Sequence, residues 1–301
     1  MIDGIINVYK EKGFTSFDVV AKFRGILKQK KIGHTGTLDP MAEGVLLVCL
    51  GKATRLVDLL TEGDKIYRAK MQLGIETDTE DITGTPVKQS DAEAVSAITP
   101  SGVEEAIRSF EGEYDQIPPM YSALKKDGKK LYEYARAGVT VELEPRRVQI
   151  YSISDLILEE DGSYSFDVHC SKGTYIRSLV RDIGRKLGCY AVLTELLRKE
   201  VHGFYVQDSR TLAEIEARQQ EGSLQDLILP IDALLTEYHA YSVLEAGKKY
   251  LTNGNKLSPR LFENMGDRRD RRIRVYMDGT FAALYDYIEA ENIYKPFKMF
   301  I

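Results

Sequence analysis

Gly33-His34-Thr35-Gly36-Thr37-Leu38-Asp39-Pro40-Met41-Ala42-Glu43-Gly44 is the stretch around which the 301-residue chain is organised. Pro40 disfavours the helical region for Asp39, so the aspartate sits on an extended or turned segment. Val45-Leu46-Leu47-Val48-Cys49-Leu50 follows, closed by Gly51, and reads as a strand buried on both faces. A polar loop carrying His34 and Asp39, pinned against a core strand, is where functional groups tend to sit. Taken alone, an Asp before Pro in a glycine-rich loop is usually a turn former.

Upstream, Gly4–Tyr9 reads as an apolar strand and Lys10–Ser16 as a loop. Ser16 is the expected N-cap of a helix with Val19, Val20, Phe23, Ile26 and Leu27 on one face. Downstream, Thr54 is expected to cap a short helix through Leu60. Ile66–Leu73 then alternates, with Tyr67, Ala69, Met71 and Leu73 on one face. The acidic stretch Leu73–Asp81 lacks the glycine and terminal glutamate of a calcium loop and reads as a solvated turn.

Val103, Ile107 and Phe110 mark a helix face, and strands are expected at Val148–Leu158 and Ser163–Cys170. Between them, Gln116–Arg136 mixes aromatics with lysines and arginines, as nucleic-acid contacts do. Arg177 falls in the first turn of a helix that turns Ile176, Leu179, Val180 and Ile183 inward. A cation there opposes the helix dipole, so an anionic partner is expected. Ala191–Lys199 reads as a helix, Gly203–Val206 as a strand and Ser209–Gln220 as a polar helix. From Glu237 the texture changes to short strands and turns, which places a boundary near 238.

Three widely spaced cysteines with no CxxC argue against a disulfide framework and a zinc site, and fit a reducing, cytoplasmic setting. No basic leader or long apolar run suggests export or a membrane. The net charge of −5 hides a local pattern. Residues 62–115 hold thirteen acids against five bases, whereas 125–147 hold seven bases against four acids. Six arginines face three acids between 260 and 274. Electrostatic footprints are local, so such basic patches are compatible with an RNA partner.

The string G-H-T-G-T-L-D-P-x-A-x-G resembles the signature of the TruB family of tRNA pseudouridine synthases. Further strings resemble the same family in the same order. They are Lys10-x-Lys12-Gly13-Phe14-Thr15-Ser16, Lys65-x-Tyr67, Leu73-Gly74 with Thr77-Asp78-Thr79-x-Asp81, and Gln116-x-Pro118-Pro119-x-Tyr121-Ser122-Ala123-Leu124-Lys125. Cys170-Ser171-Lys172-Gly173-Thr174-Tyr175-Ile176-Arg177 and Leu196-Leu197-Arg198 complete the set. One departure is Glu11, where many relatives carry proline.

The resemblance implies an α/β (α+β) catalytic domain over 1–237, built on a mixed, mainly antiparallel central sheet. It also implies an RNA-gripping insertion at about 112–147 and a small β-rich, PUA-like RNA-binding domain over 238–301. The implied reaction turns uridine 55 of the tRNA T loop into pseudouridine, with neither cofactor nor metal. Asp39 would be the nucleophile, Arg177 its counter-ion, and Tyr67 the ring that stacks on the base. His34 would hold the flipped nucleotide or fill the space it leaves, and Leu197 would form an apolar wall. Lys10 and Lys12 would support the loop or phosphates, and Lys172 and Tyr175 would contact RNA. A monomer acting on the tRNA T-stem-loop without an obligatory protein partner is expected. The rival reading is a tRNA-binding folding module in which catalysis is secondary.

Overall fold

The computed structural model describes residues 1–301. Its nine-stranded main sheet runs, from one edge, through Gly4–Lys10, Glu43–Leu50, Ala191–Val201, Lys65–Leu73, Tyr164–Cys170, Arg146–Leu158 and Gly112–Gln116. Two short strands, Ile32–His34 and Phe204–Tyr205, pair with Glu43–Leu50 and Ala191–Val201 respectively. Every pairing in this sheet is antiparallel except that of Ala191–Val201 with Glu43–Leu50. At that junction Gly44 adopts φ +100°, and a Cβ there would lie 2.3 Å from the Arg198 carbonyl oxygen. Only glycine permits the two backbones to approach this closely.

The unbroken apolar run Val45–Leu50 is explained by burial on both faces. Leu46, Val48 and Leu50 join Val19, Val20 and Phe23 under the Ser16–Leu27 helix. Val45, Leu47 and Cys49 turn the other way, onto Leu56 and Leu60. A third cluster packs Ala69, Met71, Phe166 and Val168 beneath the Ile176–Leu187 helix, through Leu179, Val180 and Ile183.

Four local expectations are corrected. Thr15, not Ser16, is the N-cap; its hydroxyl accepts from Asp18 N while Asp18 returns a bond, forming a capping box. Thr54 caps nothing: it lies inside a 3-10 turn, Gly51–Leu56, and the helix begins at Val57. Ala191–Lys199 is a central strand rather than a helix. Its Leu-, Glu- and Lys-rich composition suits a helix, but hydrogen-bonding partners on both sides override that preference. The polar helix starts at Leu212, capped by Thr211, not at Ser209.

The acidic stretch is corrected as well. Glu76, Thr77, Glu80 and Asp81 are buried, not solvated, because arginines from the Ile176–Leu187 helix reach across to neutralise the three carboxylates.

Beyond residue 238 lies a separate four-stranded sheet, His239–Ser242, Arg272–Met277, Thr280–Ile288 and Ile293–Met299, with a helix at Glu245–Thr252. It encloses its own core around Leu251, Ile273, Tyr285 and Tyr294. Leu284 and Phe300 nevertheless pack into the core of the main sheet, so the two parts share apolar surface. No helix is long and apolar enough to cross a membrane.

Candidate active site

Asp39 is fixed through the backbone on either side of it. Leu38 N donates to Ser16 Oγ at 2.9 Å, and Gly13 N to the Pro40 carbonyl at 2.8 Å. Ala42 N donates to the Asp39 carbonyl itself at 3.1 Å. Lys10, fully buried, points Nζ at the carbonyls of Ala42 (2.6 Å), Glu11 (3.1 Å) and Pro40 (3.5 Å). From the neighbouring strand, Arg198 donates to the carbonyls of Val45 (2.6 Å) and Gly36 (3.2 Å). None of these bonds uses the Asp39 carboxylate, which is left facing a cavity.

That cavity has a volume of about 590 Å³. Asp39, Tyr67 and Arg177 line it together, with Lys172 and Tyr175 on its wall. Arg177 Nε lies 2.8 Å from Asp39 Oδ2 but off the axis of a hydrogen bond, so the contact is ionic. The rest of the guanidinium is occupied: Nη1 donates to the Thr79 carbonyl (2.8 Å) and Nη2 to the Tyr121 carbonyl (2.9 Å). Asp81 stands 3.8 Å from Nη1 as a second anion. The cation expected to need an anionic partner in the first helical turn thus has two.

Burial pushes the Asp39 carboxyl up from its ordinary value, the Arg177 charge pulls it down, and Asp81 pushes it up again; the net direction is upward. Arg177 holds the charge of a carboxylate that its surroundings would otherwise neutralise. Burial also raises the Tyr67 phenol, which stays protonated at neutral pH with its ring against the cavity.

The remaining candidates divide. Tyr175 is clamped by one amide: its N–H donates to Gln116 Oε1 (2.8 Å) and its carbonyl accepts from Gln116 Nε2 (3.0 Å). Lys172, exposed at the rim, pairs with Glu62. His34, half-buried where the strand Ile32–His34 enters the loop, is not on the cavity lining, and its Nδ1 accepts from Gly36 N at 3.4 Å. Burial and the nearby Arg198 charge lower its pKa, which keeps the ring neutral. Lys12 is exposed and Lys10 lies beneath the loop, so neither lines the cavity. Leu196 rather than Leu197 lies on the lining of this cavity, and the Leu197 side chain packs over Gly44.

Sequence reasoning did not single out Arg198, Lys65 or Asp81 as site residues. Arg198 and Lys65 line the cavity, and burial lowers the Lys65 ammonium to about 8. For Asp81 a signal existed: Arg177, Arg181 and Arg185 fall at intervals of four, on one helix face, opposite an acidic segment.

Residues 24–176 match the family description "TruB family pseudouridylate synthase (N terminal domain)". Residues 177–236 match "tRNA pseudouridylate synthase B C-terminal domain". The chain is 49% identical, over the full length of both, to a tRNA pseudouridine synthase B of Lachnoclostridium phytofermentans. Over 284 residues it is 43% identical to the protein of that name from Clostridium perfringens, spanning 94% of each chain. In three dimensions it is similar to a chain from the "Crystal Structure of a Cbf5-Nop10-Gar1 Complex". The TM-score is 0.73 at 26% identity, covering 99% of this chain and 85% of the other. A mixed sheet, an aspartate loop pinned beneath a cavity and full-length similarity at this level lead to one conclusion: the chain belongs to the TruB family of pseudouridylate synthases, which are isomerases.

Proposed function

We propose that this chain converts uridine to pseudouridine in tRNA, at position 55 of the T loop, with Asp39 as nucleophile. The ionic contact between Asp39 and Arg177 at the floor of the cavity is the observation that carries this reading. Isomerisation breaks the N1–C1′ bond and forms C5–C1′; the C5 proton departs and N1 gains one, so no atom or electron is lost overall. The step asks the protein for an ionised carboxylate beside the nucleotide, a counter-ion to keep it ionised, and walls that hold the detached base. Asp39, Arg177 and the pair Tyr67 and Leu196 have the chemistry for those tasks. Tyr67 stacks on the base and its hydroxyl assists removal of the C5 proton.

A uridine inside a folded RNA must leave its stack to reach the Asp39 carboxylate in this cavity. His34, neutral and at the start of the Asp39 loop, fills the vacated space or holds the flipped nucleotide. Lys10 acts as a loop support, while Lys12 and Lys172 offer exposed charge for phosphates. Residues 1–237 form the catalytic domain in this reading, with 112–147 as the RNA-gripping insertion and 238–301 as a PUA-like RNA-binding domain. The enzyme acts as a cytoplasmic monomer without a protein partner.

The test uses an unmodified tRNA transcript carrying tritium at uridine C5. Tritium release accompanied by a single carbodiimide-dependent primer-extension block in the T loop supports the assignment. A block elsewhere overturns the position, and tight tRNA binding without release favours an RNA-folding role.

A further inference from the structure

The helix Ile176–Leu187 carries three arginines four residues apart, and each meets an acid from the segment 76–81. At the outer rung Arg185 grips Glu76 through Nε (2.9 Å) and Nη2 (2.8 Å) and is half exposed. At the inner rung Arg177 meets Asp81 and Asp39. The middle rung, Glu80 with Arg181, does not line the Asp39 cavity, yet both side chains are nearly buried, at 10% and 6% exposure. Breaking such a pair is costly, whereas an apolar pair of similar volume is often as stable. Stability alone is therefore a weak account of why charge is placed here.

The backbone supplies a better one. Glu80 has φ +63°, in the left-handed region that glutamate seldom occupies. Its carboxylate accepts from Ser178 Oγ at 2.6 Å and from Arg181, whose Nη2 donates onward to the Ile117 carbonyl at 3.0 Å. The residues on either side of Glu80 are the ones that hold the counter-ion. The Thr79 carbonyl accepts from Arg177 Nη1, and the Asp81 carboxylate faces the same nitrogen. Anchoring the Glu80 side chain to the helix sets the turn that aims both groups.

We propose that Glu80, held by Arg181 and Ser178, is a positioning residue that fixes the pose of Arg177 against Asp39. It acts through its neighbours and never meets the substrate. This rests on the reading that Asp39 and Arg177 carry out the isomerisation; wild-type enzyme assayed in parallel fails to release tritium if that reading is wrong.

The experiment measures the single-turnover rate and the tRNA Kd for Glu80→Gly, Glu80→Asn and the double variant Glu80→Leu/Arg181→Met, alongside thermal unfolding. Gly and Asn both accept a left-handed backbone, so they remove the anchor without adding strain. The double variant removes both charges of the pair; Asp182, which also accepts from Arg181 Nε at 2.9 Å, keeps 21% of its side chain in solvent. All three are expected to lose about 10- to 100-fold in rate while Kd stays within about threefold and unfolding stays cooperative. A wild-type rate in Glu80→Gly overturns the proposal, because the position then needs only its backbone shape. A wild-type rate in the double variant also overturns it, because the losses in the single variants then reflect an arginine left with Asp182 as its sole anion. So does a loss in which rate, affinity and cooperativity fall together.

Discussion

The Asp39 loop and the segment Ile75–Asp81 are both polar, both approach Arg177, and are fixed by different forces. In the Asp39 loop the fixing bonds go to the backbone: Ser16, Lys10 and Arg198 reach main-chain groups, and the carboxylate is left for the cavity. In the acidic segment the charges themselves are paired: Glu76, Glu80 and Asp81 each face an arginine of one helix, and Arg177 also reaches the Thr79 carbonyl. A nucleophile, the role proposed for Asp39, needs its charged group free, and here the loop is held through its backbone carbonyls and amides. A counter-ion needs its charge aimed, so the segment behind it is held by charge. The first device survives loss of the functional side chain; the second does not.

The largest effect falls on the free group. Asp39→Asn is expected to lower single-turnover conversion at least about 10⁴-fold, as losing a nucleophile does, with tRNA binding retained. It is not expected to lower the melting temperature at neutral pH. The Asp39 carboxyl is raised in the fold. Its contribution to stability is therefore present below the unfolded value and is lost as pH rises through the folded one. At neutral pH the charge is a burden on the fold, and the amide relieves it.

Arg177→Met comes next, at about 10²- to 10³-fold in rate, the scale of a lost charge-stabilising donor. Because Arg177 pulls the Asp39 carboxyl down, its removal is expected to move the acid limb of the rate profile toward higher pH. Activity needs the ionised form, so the wild-type rate falls as pH drops through the Asp39 value. An acid limb that stays in place in Arg177→Met separates the two residues. Lys10→Met removes the buried donor to the Ala42 carbonyl, while the Pro40 carbonyl keeps Gly13 N. Chemical denaturation is expected to show a loss of about 1–3 kcal/mol. The smallest contrast is between two neighbours. Leu196→Ala, at the cavity wall, is expected to slow conversion several-fold, whereas Leu197→Ala leaves the rate near wild type and costs only packing over Gly44.

What was legible in the sequence follows the range of the interactions. The Asp39 loop announced itself because Gly, Pro and the apolar run that follows act locally. The need of Arg177 for an anion was readable from its place in the first helical turn. The burial of Glu76–Asp81 was not, because the arginines that neutralise it lie roughly a hundred residues later, as the 101-residue separation of Glu80 and Arg181 illustrates. Ala191–Val201 was misread for a related reason: its hydrogen bonds go to strands beginning at Glu43 and Lys65. In a strand, adjacent side chains point to opposite faces. That alternation puts Leu196 on the cavity and Leu197 away from it.

The central claim, that Asp39 performs the chemistry and is not needed for the fold or for RNA binding, is tested most directly by one paired measurement. Tritium release from C5-labelled tRNA and tRNA affinity are determined for wild type and Asp39→Asn under the same conditions. Release abolished with affinity unchanged is the expected result. Release that persists in Asp39→Asn, or affinity that falls together with it, contradicts the claim.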